Sequence, residues 1–192
     1  MQSKNNISIS QFNGTIIQDG DFVKFITTSH SFKRVNTLGC LNIVVRQYST
    51  DQIFNLNNVF VEIIFNDKKN DILIFKIKNF LNKNFSNIEL KALNHNSNLH
   101  DKLFSLGFVT ILQSDFTPKQ IPLFLYTKDK KINSINDKLY VENIDFNDGS
   151  SGSPLFYKNK IVGVYKGKEV VQGKLTSFFN LFTNQIIDNI NK

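Results

Sequence analysis

Hydrophobic positions along the chain fall in short runs of strand length divided by polar turns, a pattern that predicts a mostly β protein. Phe12 to Ile17 and Phe22 to Thr27 flank an Asp19-Gly20 pair, a strong hairpin signal. Leu41 to Arg46 reads as a further strand, Ile53 to Asn58 as strand plus turn, and Val59 to Phe65 as a long strand ending at the polar tip Asn66 to Asn70. Asp71 then leads directly into the nearly continuous apolar run Ile72 to Ile77. Lys78 to His100 is rich in Asn and weakly periodic, and reads as the connection between two groups of strands. Strands resume at Leu103 to Leu112 and Ile121 to Tyr126, followed by a basic turn containing Lys128, Lys130 and Lys131. Lys138 to Val141, Leu155-Phe156, Ile161 to Tyr165 and Val170 to Thr176 complete the second group. Ser177 to Ile190 differs in kind: Phe178, Leu181, Phe182, Gln185, Ile186 and Asn189 suit one face of an amphipathic helix.

Composition narrows the picture. The 192 residues, 41% hydrophobic, fit one domain with a real core, or two small lobes sharing an interface. The single cysteine, Cys40, excludes an intramolecular disulfide and a cysteine-built zinc site, and points to a reducing compartment such as the cytoplasm or to a fold that needs no disulfide staples. The polar start, Met1 to Ser10, reads as no secretory signal, and no apolar stretch approaches the length of a membrane span. The net charge of +7 makes weak nucleic-acid binding through the basic surface an expectation, although the lysines are scattered. Abundant Asn, Lys and Ile also read as AT-biased coding, which carries no function.

Candidate chemistry concentrates in the hexapeptide Gly149-Ser150-Ser151-Gly152-Ser153-Pro154. Glycines on both sides of a serine permit backbone conformations that side chains forbid. Such a loop turns amide N–H groups inward and lifts one hydroxyl clear, as an acyl-transfer nucleophile beside an oxyanion site requires. Two further positions stand at strand ends. His30 closes the segment Phe25 to His30, and Asp71 opens the run Asp71 to Ile77. Taken singly, His30 reads as a surface histidine and Asp71 as a turn residue. His95 and His100 lack partners nearby in sequence and read as loop histidines.

Read together, His30, Asp71 and Ser151 occur in the chain order His-Asp-Ser, and nearly the whole chain resembles the trypsin/chymotrypsin-like serine proteases. Gly149 to Pro154 is similar to the family's nucleophile motif, Phe25 to His30 to its T-A-A-H segment, and Asp71 to Ile77 to the D-I-A-L-L-K-L segment around its acidic member. Ile161 to Gly167 resembles the strand lining the substrate groove. Lacking disulfides, the chain is closest in character to the 3C-like viral main proteases, the HtrA type and the staphylococcal glutamyl endopeptidases.

The resemblance implies an all-β fold of two antiparallel six-stranded β-barrels with a C-terminal helix. Residues 1–87 would form the lobe carrying His30 and Asp71, and residues 88–192 the lobe carrying Ser151. It implies a serine endopeptidase without metal or cofactor, acting on a polypeptide held in extended form. Viral polyprotein processing is the expected setting, in the host cytoplasm. A cellular HtrA-like protease and an inactive protease-fold scaffold for protein or RNA stay open as alternatives. By the same resemblance, the N–H groups of Gly149 and Ser151 form the oxyanion hole, and Asp145, Tyr165, Lys166 and Gly167 contact substrate. Ser150 replaces the Asp that pairs with a newly cut N-terminus in trypsin-like zymogens, so activation is expected not to use that switch. Tyr165 stands where many 3C-like and glutamate-specific relatives carry a specificity-setting His, which leaves the cleavage preference open.

Overall fold

The Asp19-Gly20 signal does form a hairpin. In the structure, a computed structural model, β1 (Thr15–Asp19) and β2 (Phe22–Thr27) pair antiparallel from Thr15↔Ile26 to Asp19↔Phe22. The structure describes residues 12–32, 41–46, 52–78, 89–93, 103–114, 118–127, 130, 132–142, 146 and 149–191. Cys40, His95, His100 and Asp145 lie outside these.

β3 (Leu41–Arg46) and β4 (Ile53–Val59) make a two-stranded ribbon. β5 (Glu62–Asp67) and β6 (Ile72–Lys78) join the first hairpin in a sheet of order β1-β2-β6-β5. The apolar run Val59 to Phe65 is therefore not one strand. Val59 ends β4, Glu62 starts β5, and the chain changes pairing partner between them, with Val59 and Val61 buried and Phe60 exposed.

The second group contains seven strands: β7 (Leu103–Leu112), β8 (Pro118–Tyr126), β9 (Ile132–Ile135), β10 (Lys138–Val141), β11 (Pro154–Tyr157), β12 (Lys160–Val171) and β13 (Lys174–Leu181). Their order is β8-β7-β11-β12-β13-β10-β9. The all-β, two-lobed, chymotrypsin-like architecture expected from the sequence is present, six strands in the first lobe and seven in the second. Among the described residues their ladders run as open sheets.

Three local expectations change. β9 lies inside the stretch read as a basic turn, and pairs with β10 across Asn136-Asp137, with Asn136 at φ +52. Val170 to Thr176 is a hairpin tip, turning at Gln172 (φ +51) and Gly173 (φ +77), two successive positive φ values typical of a tight hairpin turn. Ser177 to Leu181 belongs to β13, and the helix α1 covers only Asn184–Ile190, with Thr183 Oγ1 accepting the Ile186 N–H at its start. β13 lies between β12 and β10 and is buried from Thr176 onward on both faces, which erases the alternation that marks a strand.

Three apolar clusters hold this arrangement. One fills the first lobe around Phe25, Phe32 and Phe75, and another fills the second around Leu139, Phe146 and Phe179. The third joins the lobes: Ile26, Ile72 and Ile74 pack with Phe156, Ile161 and Val164, and with Phe182, Ile186 and Ile190 at the C-terminal end. A shared core of this kind fixes the lobes against one another, because interiors are close-packed and resist sliding. Buried Lys24 adds a polar fastening, its Nζ donating to the Ile190 carbonyl at 2.8 Å.

On the second lobe, the Tyr140 hydroxyl donates to Glu169 Oε1 at 2.6 Å. Burial, then that bond and the Glu169 charge, push the phenol from 10.0 up to about 12. Folding raises this value. Its stabilising contribution is therefore present below the unfolded value and is lost as pH rises through about 12. An ultraviolet titration of the folded protein is expected to show one phenol ionising near that pH, and Glu169→Gln is expected to bring its midpoint down.

Candidate active site

β2 ends in a buried polar step, Thr27-Thr28-Ser29, and the chain then turns through one 3₁₀ turn, His30–Phe32. Phe32 anchors that turn against Phe75 and Phe12, with ring centroids 5.0 and 5.8 Å away. The Phe32 N–H donates to Ser29 O, and the hydroxyls of Thr28 and Ser31 lie 2.6 Å apart. The imidazole of His30 is left at the surface of a rigid corner.

Asp71 closes the turn between β5 and β6. Asp67 builds that turn by accepting the Asn70 N–H at 3.0 Å and Asn70 Nδ2 at 2.8 Å. Asp71 itself takes φ +54, a left-handed conformation that Asp tolerates better than most residues. It is 5% exposed, and its carbonyl accepts the Ser29 N–H. Both carboxylate oxygens face His30: Oδ1 accepts the His30 backbone N–H at 2.7 Å, and Oδ2 lies 2.6 Å from His30 Nδ1.

The loop before β11 carries Ser151. Gly149 and Gly152 take φ +86 and +88, values that reserve both positions for glycine. Ser153 ties the loop to itself, its N–H and Oγ both donating to Ser150 O at 3.1 and 2.7 Å. Gly152 N–H donates to Tyr165 O and Tyr165 N–H to Ser153 O, both at 2.8 Å, stitching the loop to β12. Ser151 Oγ emerges 3.1 Å from His30 Nε2 and 3.3 Å from Lys166 O. His30 thus sits between a carboxylate on Nδ1 and a hydroxyl on Nε2, joining residues 41 and 121 positions away in sequence.

The remaining candidates are placed differently. The Tyr165 side chain is buried in the second core, edge-on to Phe146 and Phe179, so its backbone, not its ring, borders the site. Lys166 is the extra residue of a bulge, since Tyr165 pairs with Phe179 and Gly167 with Phe178. Bulges redirect a side chain, and Lys166 Nζ reaches within 3.9 Å of Asp71 Oδ2 while lying over the Phe178 ring. A Cβ added at Gly167 would meet nothing within 4 Å. Ser150 is fully buried, and its Oγ has no hydrogen-bond partner among the described residues. Two features escape a reading of the sequence: the Lys166–Asp71 approach, and Asn13, whose N–H donates to Ser151 O and whose Nδ2 donates to Gly149 O. Among the described residues, no group of three or more His, Cys, Asp or Glu is gathered to hold a metal ion, and no helix is long and apolar enough to cross a membrane.

Solved structures similar to this one include proteases. Catalytically active tobacco etch virus protease complexed with product aligns at TM-score 0.59 and 16% identity, over 93% of this chain and 69% of that one. Neuropsin, a serine protease expressed in the limbic system of mouse brain, aligns at 0.64 and 15%, over 93% and 88%. The apo MamO protease domain from Magnetospirillum magneticum aligns at 0.53 and 15%, over 94% and 89%. Identities this low show a shared fold. No curated protein matches the sequence. The Trypsin family model matches residues 2–187, almost the full length, and the chain therefore belongs to the trypsin family of proteases.

Proposed function

We propose that the protein is a serine endopeptidase in which His30 and Asp71 of the first lobe activate Ser151 of the second. The observation that carries this reading is the 3.1 Å approach of Ser151 Oγ to His30 Nε2, with Asp71 on the opposite ring nitrogen. Ser151 Oγ attacks the scissile carbonyl while its proton passes to His30 Nε2. The resulting imidazolium is stabilised by Asp71, which also holds Nδ1 in the protonated tautomer. Collapse of the tetrahedral adduct breaks the C–N bond, and the proton moves from Nε2 to the leaving amine. Water then enters by the same route and releases the acyl group. The N–H groups of Gly149 and Ser151 bind the developing oxyanion, a role supported by the positive φ of Gly149 and by the loop carbonyls held in bonds to Asn13 and Ser153.

An extended peptide fits the free edge of β12. β11 covers β12 only up to Val164, and the Tyr165 backbone is already bonded to the loop, so pairing with substrate begins at Lys166 and Gly167. Open space over Gly167 leaves room for the peptide's side chains. Polyprotein processing in a reducing compartment is the setting we attach to this activity. It rests on the single cysteine and on the fold shared with the tobacco etch virus protease.

A peptide library incubated with the protein tests the activity. Cleavage is expected to stop with a serine-directed reagent and to continue with a thiol reagent or a chelator. Asp71→Asn is expected to lower kcat about 10⁴-fold, because the amide favours the wrong imidazole tautomer. Steady-state kinetics with near-constant KM checks this, and a loss of under tenfold would remove Asp71 from the mechanism.

A further inference from the structure

We propose that Asn13, from the segment entering β1, is the positioning residue of the oxyanion loop; this rests on the serine-peptidase reading of that loop. Asn13 is buried and every polar group it owns is used. Its N–H donates to Ser151 O at 2.8 Å, and its Nδ2 donates to Gly149 O at 2.5 Å and to Phe108 O at 2.9 Å. Oδ1 accepts the Phe108 N–H at 2.7 Å, and Asn13 O accepts Thr27 Oγ1 at 2.6 Å. The amide's orientation follows from its partners, since two carbonyls demand donors and one N–H demands an acceptor.

These bonds fall on particular peptide units. The Gly149 carbonyl belongs to the unit joining 149 to 150, and the Ser151 carbonyl to the unit joining 151 to 152. Asn13 ties both. The unit between them has its Ser150 carbonyl tied by Ser153. In a trans peptide the N–H points opposite to the C=O. With the Ser150 carbonyl drawn toward Ser153, the Ser151 N–H is turned the other way, toward the oxyanion position. Asn13 thereby links three parts that must agree: the nucleophile loop, β7 through Phe108, and the end of β2 through Thr27, three residues before His30. Asparagine suits this place because it offers two donors and an acceptor on one short stem. Aspartate has the same shape and no donor.

The test is Asn13→Asp beside Asn13→Ala. For folded Asn13→Asp, kcat is expected to fall about 10²-fold, the scale of one lost oxyanion donor, with KM within about threefold of wild type. Affinity for a peptide boronic acid is expected to fall in step with kcat/KM. Affinity for an uncleaved peptide, measured on the Ser151→Ala background, is expected to stay constant. Wild-type kcat in either folded variant, or a rise in KM alone, would overturn the assignment. If neither variant folds, the wild-type protein decides: its Asn13 side-chain protons are expected to exchange far more slowly than a free amide, and free exchange would overturn it. A wild type without peptidase activity would instead strike the underlying reading. Asn13→Asp would still be read from the Gly149 and Ser151 amide resonances, whose displacement is expected and whose constancy would overturn the positioning role.

Discussion

Ser151→Ala is expected to lower kcat for peptide hydrolysis by about 10⁶-fold, with little change in KM or in melting temperature. Among the described residues Ser151 Oγ bonds only at the site, to His30 Nε2 and the Lys166 carbonyl, so its removal is expected to leave the packing intact. His30→Ala should cost about as much, because a hydroxyl without its base is a poor nucleophile. The double variant should be no worse than either single one, since residues that act as a unit are grossly non-additive. Steady-state kinetics on the three variants checks this. Additive losses would mean that His30 and Ser151 do not act on the same proton.

The second large effect is on folding. Gly152→Ala is expected to destabilise the protein by roughly 3–5 kcal/mol, at the exceptional end for one substitution. The new methyl would lie 1.9 Å from Asn13 O and 2.4 Å from Thr27 Oγ1, and φ is +88. Neither neighbour can yield cheaply. Asn13 O is backbone, and Thr27 Oγ1 is bonded to it. Relief would require the Ser151 loop to leave the first lobe, so on the proposed mechanism activity is expected to fall with stability. Gly173→Ala is the control: φ is +77, but nothing lies within 4 Å, so only the conformational cost of about 1–2 kcal/mol remains. Urea melts of the two variants separate steric collision from backbone strain. Equal losses would show that the loop is not pressed against Asn13.

What was legible in the chain follows from the range of the interactions concerned. The Asp19-Gly20 hairpin and the Gly149 to Pro154 loop declare themselves locally, through residues that turns demand. The approach of His30, Asp71 and Ser151 was readable only through the resemblance to the trypsin/chymotrypsin-like proteases, which their chain order and the surrounding motifs carry. Asn13 carries no such mark. It is one of many asparagines, and its partners Phe108 and Gly149 lie 95 and 136 positions away. Lys166 reaches Asp71 through a bulge that leaves no trace in hydrophobic periodicity. The helix expected from Ser177 onward failed for a related reason: a strand buried on both faces shows continuous apolar character, which a helical template also fits. Tyr165 shows the limit of transfer by position, since the backbone reaches the site and the ring points into the core.

The most direct test of the central claim is labelling of the folded protein with a fluorophosphonate, followed by mapping of the modified residue. The account predicts a single adduct on Ser151, absent in both Ser151→Ala and His30→Ala. Folded wild-type protein that takes no label, or labelling that survives in His30→Ala, would contradict it.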